Sequence, residues 1–187
     1  KQWYQRRVHG GDKPRLAFFI NFVASWGFSQ QAVVSILSSS YICIHMFSWE
    51  DFVKAWSREG RLCDYWSFYL SRWSWDTHRG RESSLAAVGV RFPGFPLPLQ
   101  NPALLQTVGN ALGTFLCLDD DTRCLQATAS PRIWVELDLA SHLPSHVLIR
   151  GGEESSWRKR VLYQELPRYC IQCCQKGHSV DFCRRNR

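Results

Sequence analysis

Tyr41-Ile42-Cys43-Ile44-His45-Met46-Phe47 runs directly into Ser48-Trp49-Glu50-Asp51-Phe52-Val53-Lys54-Ala55-Trp56, and the change of period between the two decides the fold. The first stretch is dense in β-formers and reads as a strand. In the second, Trp49, Phe52, Val53 and Trp56 recur at helical spacing, Ser48 is placed to cap, and Gly60 to close. Upstream, residues 32–37 read as a second strand, joined to the first through Ser38-Ser39-Ser40. Before them, Leu16, Phe19, Ile20 and Val23 mark a helix that Pro14 opens and Gly27 stops. Downstream, residues 62–75 read as one more strand, rich in aromatics. Helix, strand, strand, helix, strand predicts a ferredoxin-like or RRM-like α+β unit. Its first strand then lies within residues 2–9 or upstream of the chain.

Residues 76–84 form a polar, charged connector and a candidate seam. Beyond it, a strand over 87–92 and a proline-rich loop over 93–98 lead to a helix. That helix starts at Asn101-Pro102, runs through Leu104, Leu105, Val108 and Leu112, and ends at Gly113. Strands are expected over 115–118, 133–139, 147–149 and 158–166. The predicted organisation is a ferredoxin-like half over 1–84, a second β-rich α+β half packed on it over 85–166, and a zinc knuckle with a basic tail over 167–187.

The cysteine pattern carries the chemistry. Cys170-Ile171-Gln172-Cys173-Cys174-Gln175-Lys176-Gly177-His178-Ser179-Val180-Asp181-Phe182-Cys183 reads C-x2-C-x4-H-x4-C. Three thiolates and one imidazole fill a tetrahedral zinc. The two-residue gap lets one tight turn aim both sulfurs at one ion, and Gly177 lets the chain fold back before His178. The expected ligands are Cys170, Cys173, His178 and Cys183, holding one structural Zn2+; Cys174 competes with Cys173, which keeps the C-x2-C turn. A four-ligand site leaves no position for a reactive water. So small a segment is expected to fold around its metal and leave the body unaffected by chelation.

Composition narrows the partner. The chain of 187 residues is 45% hydrophobic and 21% charged, enough apolar content to bury a core. Nine Trp and eleven Phe read mainly as core. The net charge is +7, and from 157 to 187 eight basic residues stand against two acidic ones, so nearly all the excess sits there. That asymmetry points to a polyanion. Since a zinc bound by three thiolates is itself net negative, the attraction has to come from Arg158, Lys159, Arg160, Arg168, Lys176, Arg184, Arg185 and Arg187. Tyr169, Ile171, Val180 and Phe182 offer a small apolar platform for an unstacked base, or else pack the knuckle on itself. The chain begins at Lys1 with its single methionine at Met46 and reads as a piece of a longer reading frame. No stretch reads as a signal peptide or a membrane span, so the eight cysteines are taken as thiols or ligands before disulfides.

Residues 170–183 resemble the knuckle of retroviral and retrotransposon nucleocapsid proteins. More of the chain is similar to the domain of unknown function that precedes such a knuckle in plant LINE-type retrotransposon proteins and their genomic relatives. The similarity rests on Phe68-Tyr69-Leu70-Ser71-Arg72-Trp73, Val88-Gly89-Val90-Arg91-Phe92-Pro93-Gly94-Phe95-Pro96, Ile133-Trp134-Val135-Glu136-Leu137-Asp138-Leu139, and the run from Val161 through Leu166-Pro167-Arg168-Tyr169. It implies zinc and nucleic-acid binding and a mobile-element origin, with no catalytic residues.

Other constellations are weaker. Asp119-Asp120-Asp121 reads as a solvated turn rather than a divalent-metal site, and Cys117 and Cys124 as idle thiols. The Tyr41, Cys43, His45, Phe47 side of its strand can stack bases as an RRM sheet does, or be covered by the second half. There is no G-x-S-x-G, H-E-x-x-H or phosphate-binding glycine loop. The expectation is a non-enzymatic binder of single-stranded RNA or DNA, able to self-associate, not a membrane protein, and intracellular, in the nucleus ahead of the cytoplasm. The rival is an assembly module that uses knuckle and body without nucleic acid.

Overall fold

The computed structural model describes residues 2–9, 16–38, 41–57, 61–63, 66–73, 81–151 and 155–186. The fold is mixed α+β, with antiparallel sheets and, among the described residues, four α-helices. The chain divides into two compact units, Lys1–Ser83 with Cys173–Gln175, and Ser84–Gln172 with Lys176–Arg187. The division falls between Ser83 and Ser84.

In the first unit, β1 (Gln2–His9), α1 (Leu16–Ala24), β2 (Val33–Ser38), β3 (Tyr41–Met46), α2 (Trp49–Trp56), β4 (Arg61–Cys63) and β5 (Trp66–Arg72) follow in order. The five strands form one sheet in the order β2-β3-β1-β5-β4, antiparallel throughout. β1 supplies the first strand and lies between β3 and β5. The single strand expected over 62–75 is instead the β4–β5 hairpin, with Cys63 opposite Trp66. The expected helix opening at Pro14, the stop at Gly60 and residues 76–80 of the connector lie outside the described residues.

Ser48 caps α2 as its position suggests, its Oγ accepting the Glu50 N–H at 3.1 Å. The helix then buries Phe52, Val53, Ala55 and Trp56, while Trp49 stays at the rim, stacked on Phe52 with ring centroids 4.8 Å apart. Burying Phe52 alone is worth about 1.5–3 kcal/mol. On β3 both faces are buried: Ile42, Ile44 and Met46 on one, Cys43 and His45 on the other. Cys43 and His45 are therefore unavailable as a base-stacking surface.

Asp51, one turn into α2, holds the chain leaving α1. It is buried, and its carboxylate accepts the Ser29 N–H at 2.7 Å, the Ser29 hydroxyl at 2.8 Å and the Gln30 N–H at 3.2 Å. Burial by itself raises the Asp51 carboxyl, but these hydrogen bonds and the Lys54 charge outweigh it and hold it below its ordinary 3.8. A lowered folded-state value means this stabilisation is complete above the unfolded value and lost as pH falls through the folded one. The urea midpoint should therefore drop on acidification below about pH 4, and Asp51→Asn should flatten that drop. An unchanged acid profile in Asp51→Asn would assign the loss to other carboxylates.

The second unit contains β6 (Leu85–Arg91), α3 (Pro102–Leu112), β7 (Thr114–Leu118), α4 (Asp120–Arg123), β8 (Arg132–Asp138), β9 (His146–Gly151), β10 (Ser155–Arg160) and β11 (Leu162–Gln164). β11-β6-β8-β7 form an antiparallel sheet on which α3 packs, and β9 and β10 form a separate hairpin. Ala86, Val88 and Val90 face the core opposite Leu137, Val135 and Ile133, joined there by Phe92, Phe95, Leu105, Ile149 and Val161. Asn101 caps α3 through Leu104 N–H at 2.8 Å, with Pro102 opening it. At Gly113 the chain passes so close to β8 that a Cβ would sit 2.4 Å from the Glu136 carbonyl oxygen.

Two expectations are corrected in this unit. Of Asp119-Asp120-Asp121, Asp120 and Asp121 are exposed as expected but open α4, whereas Asp119 is buried as the ion-pair partner of Arg132. The strand expected over 158–166 breaks at Val161, whose N–H donates to the Ser145 carbonyl at 2.9 Å. There the chain leaves the β9–β10 hairpin and joins β6 as β11.

Candidate metal centre

Beyond β11 the chain forms β12 (Tyr169–Cys170), a turn, and β13 (Gln175–Lys176), paired as a two-stranded hairpin. Cys170 ends β12, and Cys173 lies in the turn over 171–174. Gly177 closes it with φ +105°, and its N–H donates to the Arg168 carbonyl at 2.8 Å. A Cβ there would meet nothing within 4 Å, so glycine is required for its backbone angle and not for space. A 3-10 turn over Val180–Phe182 then carries Cys183 back, its N–H donating to the Val180 carbonyl at 3.0 Å.

These local devices bring the candidate ligand atoms of Cys170, Cys173, His178 and Cys183 within 4.8 Å of one another. The three cysteines are buried and His178 is half-buried. Zinc–sulfur distances near 2.3 Å require donors a few ångströms apart. The donor set and its spacing are compatible with one zinc. Cys174 lies outside the group, at the end of the turn before β13, with φ +57°. Its carbonyl accepts the Glu82 N–H at 2.7 Å.

The expected nucleic-acid contacts separate into distinct sets. Around the four-ligand group, Arg168, Arg184 and Arg185 are exposed. Phe182 and Ile171, at 74% and 61%, are the two most exposed large apolar side chains among the described residues. Tyr169 and Val180 are half-buried. Lys176 is already engaged, its ammonium donating to the Leu85 carbonyl at 2.8 Å. The triplet Arg158-Lys159-Arg160 is split by strand alternation: both arginines are exposed, whereas Lys159 donates to the Gly94 carbonyl at 2.7 Å. Arg187 lies outside the described residues. Arg150 escaped the sequence reading. It is exposed and sits opposite Ser156, on the side of Arg158 and Arg160, a grouping that depends on hairpin register.

No helix among the described residues is long and apolar enough to cross a membrane. No protein-family model, curated protein or solved structure matches the chain.

Proposed function

We propose that the protein is a non-catalytic, zinc-dependent binder of single-stranded RNA or DNA, of LINE-type retrotransposon origin. One observation carries this reading. The four-ligand cluster sits in a turn that leaves Phe182 and Ile171 in water, with Arg184 and Arg185 exposed beside Cys183. An apolar ring held outward next to guanidinium groups suits an unstacked base and its phosphates. Zinc contributes the folding of the turn. Four protein donors leave no open coordination position, which favours a structural role over hydrolysis.

The strand order of the first unit, with β1 between β3 and β5, supports a ferredoxin-like unit extended by one edge strand, β4. The retroelement origin rests on the sequence stretches quoted above, and it goes with an intracellular setting, the nucleus ahead of the cytoplasm. The test is titration of labelled single-stranded RNA, single-stranded DNA and duplex with zinc-loaded protein at two salt concentrations. Single strands should bind more tightly than duplex, and binding should weaken as salt rises. Absence of binding even at low salt would overturn the reading.

The assembly reading has its own support. β2 is an edge strand without a charged residue, and Val33, Ile36 and Leu37 on it are exposed. Such an edge is open to pairing with another strand. A mass that rises with protein concentration, without nucleic acid, would favour that reading.

A further inference from the structure

The β9–β10 hairpin pairs Ser156 with Arg150, Arg158 with Leu148, and Arg160 with His146. Pleating places these six side chains on one face, and all six are exposed. The opposite face carries Val147, Ile149 and Trp157 against the core of the second unit, with Lys159 fastened to Gly94. The hairpin is held by one face and offers the other to solvent.

That outward face is unbalanced in charge. It carries three guanidinium groups and no carboxylate, and among the described residues none of Arg150, Arg158 and Arg160 is in an ion pair. Arg158 instead lies 3.5 Å from His146 Nδ1. Glu153 and Glu154 belong to the connection over 152–154, outside the described residues. Arg158 and Arg160 are two residues apart, about 6.7 Å along a strand, and Arg150 is a diagonal neighbour of Arg158 at about 7–8 Å. Like charges at such separations repel, and no carboxylate among the described residues of this face neutralises them. Leu148, 58% exposed, stands among them, repeating the pairing of apolar side chain and arginine seen at Phe182.

We propose that this face is a second, zinc-independent contact for the nucleic-acid backbone, with Arg150, Arg158 and Arg160 holding phosphodiester oxygens. The planar guanidinium fork matches phosphate geometry better than an ammonium does. This rests on the nucleic-acid reading above for the class of partner, but not on the metal. Contacts of this kind position a strand without reading its sequence.

The test uses the full chain and a fluorescein-labelled, mixed-sequence single-stranded RNA. Cys183→Ser protein in chelator should still bind at low salt. With three phosphates held, its affinity should fall roughly twentyfold between 50 and 200 mM salt by the single-strand rule. Changing Arg150, Arg158 and Arg160 together to Ala in zinc-loaded protein should flatten the log–log salt slope by about 2. The same change in the Cys183→Ser background should abolish binding. The corresponding triple Lys variant should keep the slope, which separates charge loss from misfolding. A wild-type slope in the triple Ala variant overturns this proposal and leaves the knuckle reading standing. Full affinity in chelated Cys183→Ser does the reverse. If the triple Ala variant loses binding to polyglutamate but not to RNA, the face serves an acidic protein and the proposal fails.

Discussion

Cys183→Ser should release the zinc, and Cys174→Ser should leave it bound, as read by metal content after gel filtration. Cys183 is buried and contributes to the four-ligand group, whereas Cys174 lies outside it. Structural zinc in such turns contributes about 10–16 kcal/mol of apparent binding free energy, which is also the folding free energy of the turn. Replacing one thiolate removes one of the four donors that would hold the metal. The body should register the loss as well, contrary to what the short, self-contained motif suggests in sequence. Glu82 donates to the Cys174 carbonyl and Lys176 to the Leu85 carbonyl, and each such bond is worth about 0.5–1.5 kcal/mol net. Losing both, about 2 kcal/mol in all, should lower the thermal midpoint by about 4–8 °C for a chain of this size. Zinc retained in Cys183→Ser, or lost in Cys174→Ser, would refute the ligand assignment.

The features legible in the sequence are those fixed by neighbouring residues. Ser48 before Trp49-Glu50-Asp51-Phe52 and Asn101 before Pro102 start helices because a cap needs only the next turn of chain. The four candidate ligands are legible for the same reason: a hairpin, one glycine and a 3-10 turn bring them together within 14 residues. What escaped depends on distant partners. Residues 62–75 carry no glycine or proline to mark a turn, so the β4–β5 hairpin reads as one strand. Asp119 looks like part of an acidic turn until Arg132, on β8, is placed beside it. The run 158–166 keeps strand character through Val161, and only the pairing partners change, from β9 to β6. The engagement of Lys159 and Lys176 by backbone carbonyls is equally a tertiary fact.

Phe182→Ala should weaken single-strand binding by about 1–3 kcal/mol, or roughly 5- to 150-fold, without changing its salt dependence. The ring is 74% exposed, so its removal leaves no cavity, and the thermal midpoint should stay near that of the parent. What is lost is a π-face for one base, an interaction that releases no counterions. Changing Arg184 and Arg185 to Ala should do the opposite. Both are exposed beside Cys183, and if each neutralises one phosphate the slope of log affinity against log salt should flatten by about 1.4. Ile171→Ala should have a smaller effect than Phe182→Ala, because an aliphatic chain covers a base without stacking on it. The two classes of variant therefore separate stacking from charge within one small turn. A Phe182→Ala protein with parental affinity would remove the stacking platform and leave the knuckle as a purely electrostatic contact. Parental salt slopes after loss of both arginines would place the phosphates elsewhere on the chain.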